Sequence, residues 1–403
     1  MAYCDFILSL IFEYDTPKIV HIHSKKVGII NRLLQLIIIG YIVGYVIVYK
    51  KGYQEFDFVV GSISTKVKGI ALTNRTILSD TPGVWDVADY VVPPQENGAV
   101  FVMTNAIITY NQTQRCPQDV ASGDFCTTDA DCPAETMIPS GDGFRTGRCV
   151  NSSQNGTKVC EIYAWCPFEN DTLGEPLLKS AANFTIFVKN NVHFPKFKVS
   201  RRNIIGFENN RQLSKCRYDP RNATNRFCPI FTIQDILDLV KGDDSTESIL
   251  KMGASIQVNI VWNCNLDFSL DECLPEYRFT RLDRSNVVSE GFNFRFAKYF
   301  QNENQSMRTL IKAYGIQFLI TIQGRAGKFS IVPLLLNLGS GLALLSLASV
   351  VADIIMLYVL KSKNFYREKK YQNVDDNVYS AMKEDTPITT YGSNKDQRSA
   401  SYH

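Results

Sequence analysis

In TKVKG, Lys66 and Lys68 are two residues apart, so both side chains project from one face of a strand. In NFRF, Asn293 and Arg295 share one face while Phe294 and Phe296 take the other. Lys312 lies in a third strand-like run, TLIKAYG. Brought together, three ammonium groups and a guanidinium would make a strong anion site. Lysine offers point charges to phosphate oxygens, and arginine adds a two-pronged fork. Taken singly, each pair is more often an ordinary polar strand face, and spacing alone does not bring the three strands together. Other chemistries find less support. Histidine occurs only at 21, 23, 193 and 403, too sparse for a Ser-His-Asp arrangement or a histidine-rich zinc site. The acidic TTDADCPAE around Asp129 and Asp131 lacks the glycine and terminal glutamate of an EF-hand and reads as a solvated loop. No metal site is expected.

Two apolar runs frame these residues. Leu33–Tyr49, extended by Ile29 and Ile30, is long enough for a first transmembrane helix over 29–50. Phe329–Leu360 is the second, and it carries no charge from Phe329 to Ala352, ~36 Å as a helix. Within it Gly339, Ala343, Ser346 and Ser349 form a small or polar stripe that ends at Asp353. Lys18, Lys25, Lys26 and Arg32 precede the first run, and Lys361, Lys363, Arg367, Lys369 and Lys370 follow the second. The positive-inside bias puts both termini in the cytosol, with Lys50 and Lys51 a mild counter-signal. No small-residue cleavage site follows a short apolar core near the start, so no removable signal peptide is expected. The expected order is a cytosolic N-terminus (1–28), the first span, an extracellular domain (51–328), a second span (329–360) and a polar cytosolic tail (361–403).

The middle segment carries the marks of an oxidising compartment. Ten of the eleven cysteines lie between 116 and 273, an even set that suggests five disulfides. Eight N-x-S/T sequons, at Asn74, Asn111, Asn151, Asn155, Asn170, Asn183, Asn222 and Asn304, all fall between the two spans. Short Val-, Ile-, Thr- and Phe-rich runs separated by turn residues predict a β-rich domain, with one helix in Ile230–Gly242. Residues 116–166 read as a disulfide-stapled subdomain with little core of its own. A net charge of +3 is too small to imply a nucleic-acid partner.

Several motifs carry a resemblance over about nine-tenths of the chain. They are YDTPK (14–18), SKKVGIINR (24–32), TKVKG (65–69), WDVADYVVPPQ (85–95), GRCV (147–150), CEIYAWCP (160–167), NFTIFVKN (183–190), FCPIF (227–231), GFNFRFAKYF (291–300) and GRAGKFSIVP (324–333). With the ten cysteines in the same number and order, the sequence closely resembles the ATP-gated cation channels of the P2X receptor family. The resemblance implies a trimer, homomeric or mixed, with ATP bound between neighbours and no cofactor. By position, Lys66, Lys68, Asn293, Arg295 and Lys312 would hold the triphosphate and Thr185 the adenine, with the Asn183 glycan at the site's edge. It implies the pairing Cys116–Cys166, Cys126–Cys149, Cys132–Cys160, Cys216–Cys228 and Cys264–Cys273. In the second span it places Leu336, Asn337, Ser340 and Ala343 on the pore and gate. The expected function is a non-selective cation channel of the plasma membrane, passing sodium, potassium and calcium. Two rival classes share the two-span outline. A two-span ecto-nucleotidase would need acid-rich phosphate loops such as D-x-G-S, which the sequence lacks. A scavenger-type binding receptor would need apolar tunnels, not lysines on short strands.

Overall fold

The computed structural model describes residues 25–77, 79–120, 125–152, 156–207, 209–283, 290–302, 305–359 and 363–370. The N-terminal 24 residues, the tail beyond 370 and the sequons at Asn155 and Asn304 lie outside the described residues. The chain divides into two compact units, one made of residues 1–54 and 330–403 and the other of residues 55–329.

The first unit holds two long apolar helices. One runs from Lys25 to Gly40 and continues in a wider π winding through Tyr49, 25 residues in all. The other runs from Ile331 to Ile354 and continues to Val359, 29 residues in all. Each exceeds the ~20 residues that a bilayer core demands. Where the apolar run suggested a start at Phe329, the backbone stays extended until Ser330. The Phe329 N–H donates to Asp267 Oδ1 at 2.5 Å, which keeps that residue in a strand. The helices meet through Ile42, which is buried against Gly341. A Cβ on Gly341 would lie 2.9 Å from Ile42 Cδ1, so glycine there permits the close approach. Most other apolar side chains of both helices are exposed in the single chain, Leu36 and Leu336 at 69% each. Such surface needs lipid or other subunits to cover it.

The second unit is built on strands. In chain order they are β1 (Gln54–Phe58), β2 (Val60–Lys68), β3 (Ala71–Thr73), β4 (Gly83–Trp85), β5 (Ala99–Pro117), β6 (Phe144–Asn151), β7 (Lys158–Cys166), β8 (Thr185–Phe194), β9 (Val199–Arg202), β10 (Ile230–Thr232), β11 (Ala254–Asn265), β12 (Glu276–Arg281), β13 (Asn293–Asn302) and β14 (Gln305–Phe329). The 25-residue β14 is the spine. It pairs with β1, β5, β11 and β13 in an eight-stranded sheet whose main path is β12-β11-β14-β5-β7-β6. A second sheet has the order β10-β8-β2, with β9 also on β8.

Alternating apolar residues of these strands make the core. Trp262, Phe101, Phe318, Ile256, Ile260 and Ile316 are all at most 1% exposed. Burial of such side chains contributes ~1.5–3 kcal/mol each. The Trp262 indole N–H donates to Asn190 Oδ1 at 2.8 Å, tying β11 of the large sheet to β8 of the small one. Gly324 has φ +133°, and a Cβ there would lie 2.1 Å from the Trp262 carbonyl oxygen, so no side chain fits between β11 and β14 at that point. The predicted helix in Ile230–Gly242 is shorter than its sequence. Ile230–Thr232 joins β8 as an edge strand opposite Phe187, Ile186 and Thr185, and the helix begins at Ile233.

Disulfides join Cys116 to Cys166, Cys126 to Cys149, Cys132 to Cys160, Cys216 to Cys228 and Cys264 to Cys273, with Cα separations of 4.8–6.1 Å. The sulfurs of Cys126, Cys132 and Cys160 cluster within 4.8 Å, but all three are oxidised and offer no thiolate to a metal. The acidic loop beside them is more than a solvated face. Asp131 accepts from the Thr127 N–H and hydroxyl, both at 2.8 Å, and from the Thr128 N–H at 2.9 Å. Asp129 accepts from the Cys149 N–H at 2.7 Å, fastening the loop to β6.

Candidate functional site

Lys66 and Lys68 occupy alternate positions near the end of β2, both exposed, with Val67 buried between them. The β2–β8 register sets Lys68 opposite Thr185 and Lys66 opposite Phe187. This places two cations, a hydroxyl and an aromatic edge on one sheet face. Gly69 makes the corner possible, since a Cβ there would lie 2.1 Å from the ring of Phe184, which is buried next to Thr185. The cleft above this face has a volume of about 380 Å³, and its far wall comes from the helix Asn210–Lys215 with Leu213 and Ser214, and from Arg217. Among the described residues neither lysine has a hydrogen bond or ion pair. Two cations therefore stand uncompensated beside a largely apolar cleft.

Asn293, Arg295 and Lys312 lie elsewhere, on the large sheet. Asn293 and Arg295 are exposed alternate residues of β13, and β13–β14 pairing sets Arg295 directly opposite Lys312. Both cations are already partnered. Arg295 makes a two-pronged contact with Glu169, Nε to Oε2 at 2.8 Å and Nη2 to Oε1 at 3.3 Å. The Lys312 ammonium reaches Asp171 Oδ1 at 2.5 Å and Glu169 Oε1 at 3.4 Å. The Glu169 and Lys312 side chains are each 12% exposed, whereas Asp171 is 70% exposed. The hydrogen bond from Lys312 holds the Asp171 carboxyl below its ordinary range. Reciprocally, Asp171 raises the Lys312 ammonium and Glu169 raises the Arg295 guanidinium. Four charges cancel here, in contrast to the bare pair on β2.

The six residues thus form two groups on separate sheets, and among the described residues no hydrogen bond or ion pair joins the two groups. Sequence reasoning missed Glu169 and Asp171, which sit on an irregular loop after β7. Their sequence signal is slight: two carboxylates flanking the Asn170 sequon just beyond Cys166-Pro167-Phe168, in a loop that offers no periodicity to read. In the helical unit, Leu336, Ser340 and Ala343 are exposed. Asn337 is half-buried, and its amide donates to the Gly52 carbonyl at 2.7 Å.

The chain thus combines a disulfide-stapled β unit, which carries the two cationic groups, with two helices of membrane-spanning length. A family model described as the ATP P2X receptor matches residues 12–373. The chain is 49% identical to P2X purinoceptor 4 of Bos taurus over 93% of its length and 96% of that protein's. It is 42% identical to P2X purinoceptor 5 of Homo sapiens, over 93% and 84% respectively. Among solved structures, an invertebrate P2X receptor from the Gulf Coast tick, determined with ATP and Zn²⁺, superposes with a TM-score of 0.71 at 42% identity, covering 81% of this chain and all of that one. The chicken P2X7 receptor with the competitive antagonist TNP-ATP gives 0.68 at 32% identity, covering 82% of this chain and 99% of that one. The chain belongs to the P2X receptor family. It is a subunit of an ATP-gated cation channel, and the ecto-nucleotidase and scavenger-receptor readings are set aside.

Proposed function

We propose that three copies assemble in the plasma membrane and that each ATP binds between two of them. Lys66, Lys68 and Thr185 come from one subunit and Asn293, Arg295 and Lys312 from the next. The observation that carries this reading is the division of the site. Each chain presents two cationic half-sites on separate sheets, and the roughly fourfold negative charge of ATP calls for both. Thr185, at the edge of a cleft lined by Phe187, Leu213 and Ile230, suits the base, while the lysines and Arg295 suit the phosphates.

The triphosphate must displace Glu169 and Asp171 from Arg295 and Lys312. Binding is therefore an exchange of carboxylate partners for phosphate ones, coupled to closure of one subunit onto its neighbour. ATP opens the channel only to the extent that it binds the closed-cleft, open-pore form more tightly. A ligand that bridges two chains supplies that difference, because its contacts to both are complete only once they approach. The pull then separates the second helices, whose exposed face with Leu336, Ser340 and Ala343 would line the path, Asn337 beside it at the Gly52 carbonyl. Both termini lie in the cytosol, residues 51–328 outside the cell, and sodium, potassium and calcium pass. Asn74, Asn111, Asn151, Asn170, Asn183 and Asn222 are candidate glycan sites on the outer domain.

Whole-cell recording tests the assignment. Lys66→Ala and Lys312→Ala are each expected to remove the response to ATP, with surface expression retained. The loss of one charge-assisted contact, ~1.5–3 kcal/mol, corresponds to a shift of at least about tenfold in half-maximal concentration. A normal dose–response in either variant would contradict it.

A further inference from the structure

Gln112, in β5, is 1% exposed, and both ends of its amide are used. Its Nε2 donates to the Pro167 carbonyl at 2.8 Å, and its Oε1 accepts from Arg308 Nε at 2.7 Å across the β5–β14 pair. The Arg308 guanidinium lies 4.3 Å from the centre of the Trp165 ring, and Tyr299 meets the same ring edge-on at 5.9 Å. Pro167 begins the irregular loop that carries Glu169 and Asp171, and Gln112, Trp165, Arg308 and the two carboxylates line one cavity of about 740 Å³. A loop without ladder hydrogen bonds has few backbone restraints of its own, so side chains must fix its path. This chain of contacts does so at the loop's root.

Building on the ATP-site reading above, we propose that Gln112 and Arg308 are positioning residues that hold the Glu169–Asp171 loop against Arg295 and Lys312, and thereby set the channel's ATP sensitivity. Neither touches the nucleotide. Their effect runs through the carboxylates, which compete with the triphosphate as tethered ligands at an effective concentration fixed by how tightly the loop is held. A buried amide satisfied at both ends is costly to disturb, so the hold is stiff. Slackening it lowers that effective concentration and favours ATP.

The test is the ATP dose–response of the full-length channel, with surface labelling alongside. Gln112→Met keeps the volume but removes both hydrogen bonds, and Arg308→Lys keeps the charge but loses the fork and much of the ring stacking. Each is expected to lower the half-maximal ATP concentration by about twofold to fivefold, the scale of one partly exposed ion pair. The shift should vanish when Gln112→Met is combined with Glu169→Gln and Asp171→Asn, because no competing carboxylate remains. A general loss of structure would weaken the response and would not depend on those two carboxylates. An unchanged or raised half-maximal concentration, a shift that persists without the carboxylates, or loss of both single variants from the surface would each overturn the proposal. The underlying reading fails separately. It falls if the parent channel gives no ATP current, and it stands if Glu169→Gln shifts the response while Gln112→Met does not.

Discussion

At the scale of single residues, Arg295 and Lys312 on the large sheet each have a resident carboxylate, which a triphosphate bound as proposed would have to displace. Arg295 is half-exposed, so its contact with Glu169 is screened and contributes only up to ~1 kcal/mol. That is weak enough for a triphosphate to displace and strong enough to tune affinity. Glu169→Gln should accordingly make the channel more sensitive to ATP, by up to about fivefold in the dose–response. A loss of sensitivity would mean that Glu169 instead orients Arg295 for the ligand. Asp171 has a lowered carboxyl, so it stays charged below the ordinary carboxylate range. Its contact is complete above about pH 4 and is lost only as pH falls through the lowered value. The effect of Asp171→Asn should therefore be the same at about pH 7.5 and about pH 6. The two carboxylates were invisible in the sequence for a physical reason. Lys66, Lys68, Asn293 and Arg295 announce themselves by the two-residue period of a strand, whereas Glu169 and Asp171 lie where no period exists.

Among elements, the second helix separates two kinds of small residue. Gly341, Ala348 and Ala352 are buried within the chain, and Gly341 touches Ile42. Gly339, Ala343, Ser346 and Ser349, the stripe legible in the sequence, are exposed. Periodicity thus found a real face but could not say which partner it meets, because the first helix takes the other one. Gly341→Val should force the helices apart and reduce surface expression or current, while Gly339→Ala, with open space around it, should be tolerated. Cysteine at Leu336 or Ser340 should react with aqueous thiol reagents faster in the presence of ATP, and equal rates would remove that face from the gate. In the disulfide-stapled region, four hydrogen bonds from Thr128 and Thr127, the Thr128 N–H first among them, bring the Asp131 carboxyl down to about 2. A lowered carboxyl contributes stability that is present above its unfolded value and fades as pH falls through the folded one, here between about pH 4 and about pH 2. Asp131→Asn should therefore make the Cys126–Cys132 loop easier for pepsin to cut at about pH 3.5, read by mass spectrometry. Composition marked this loop as acidic and exposed. It could not reveal that the acids are fastened to backbone N–H groups, which depends on how Cys126–Cys149 and Cys132–Cys160 fold the segment back.

For the whole molecule, the β-rich outer domain and the two spans were legible because both depend on local pattern: two-residue alternation, an uninterrupted apolar run, cysteines and sequons in one segment. The 25-residue β14 and its four partner strands were not, since long-range pairing leaves no local trace. Nor was the division of the cationic residues between two sheets, which on the proposed reading leaves each subunit with only part of a site. That division gives the most direct test, in channels made from three linked subunits. Lys66→Ala and Lys312→Ala are placed in one subunit, or in two adjacent subunits in either order. If ATP bridges neighbours, one adjacent order disables a single site, while the reverse order and the double substitution in one subunit each disable two. One adjacent order is then expected to match the channel carrying Lys66→Ala alone, and the other two arrangements are both expected to respond more weakly. If the double substitution within one subunit were the least damaged and the two adjacent orders were equal, each site would lie within a single chain and the account would be contradicted.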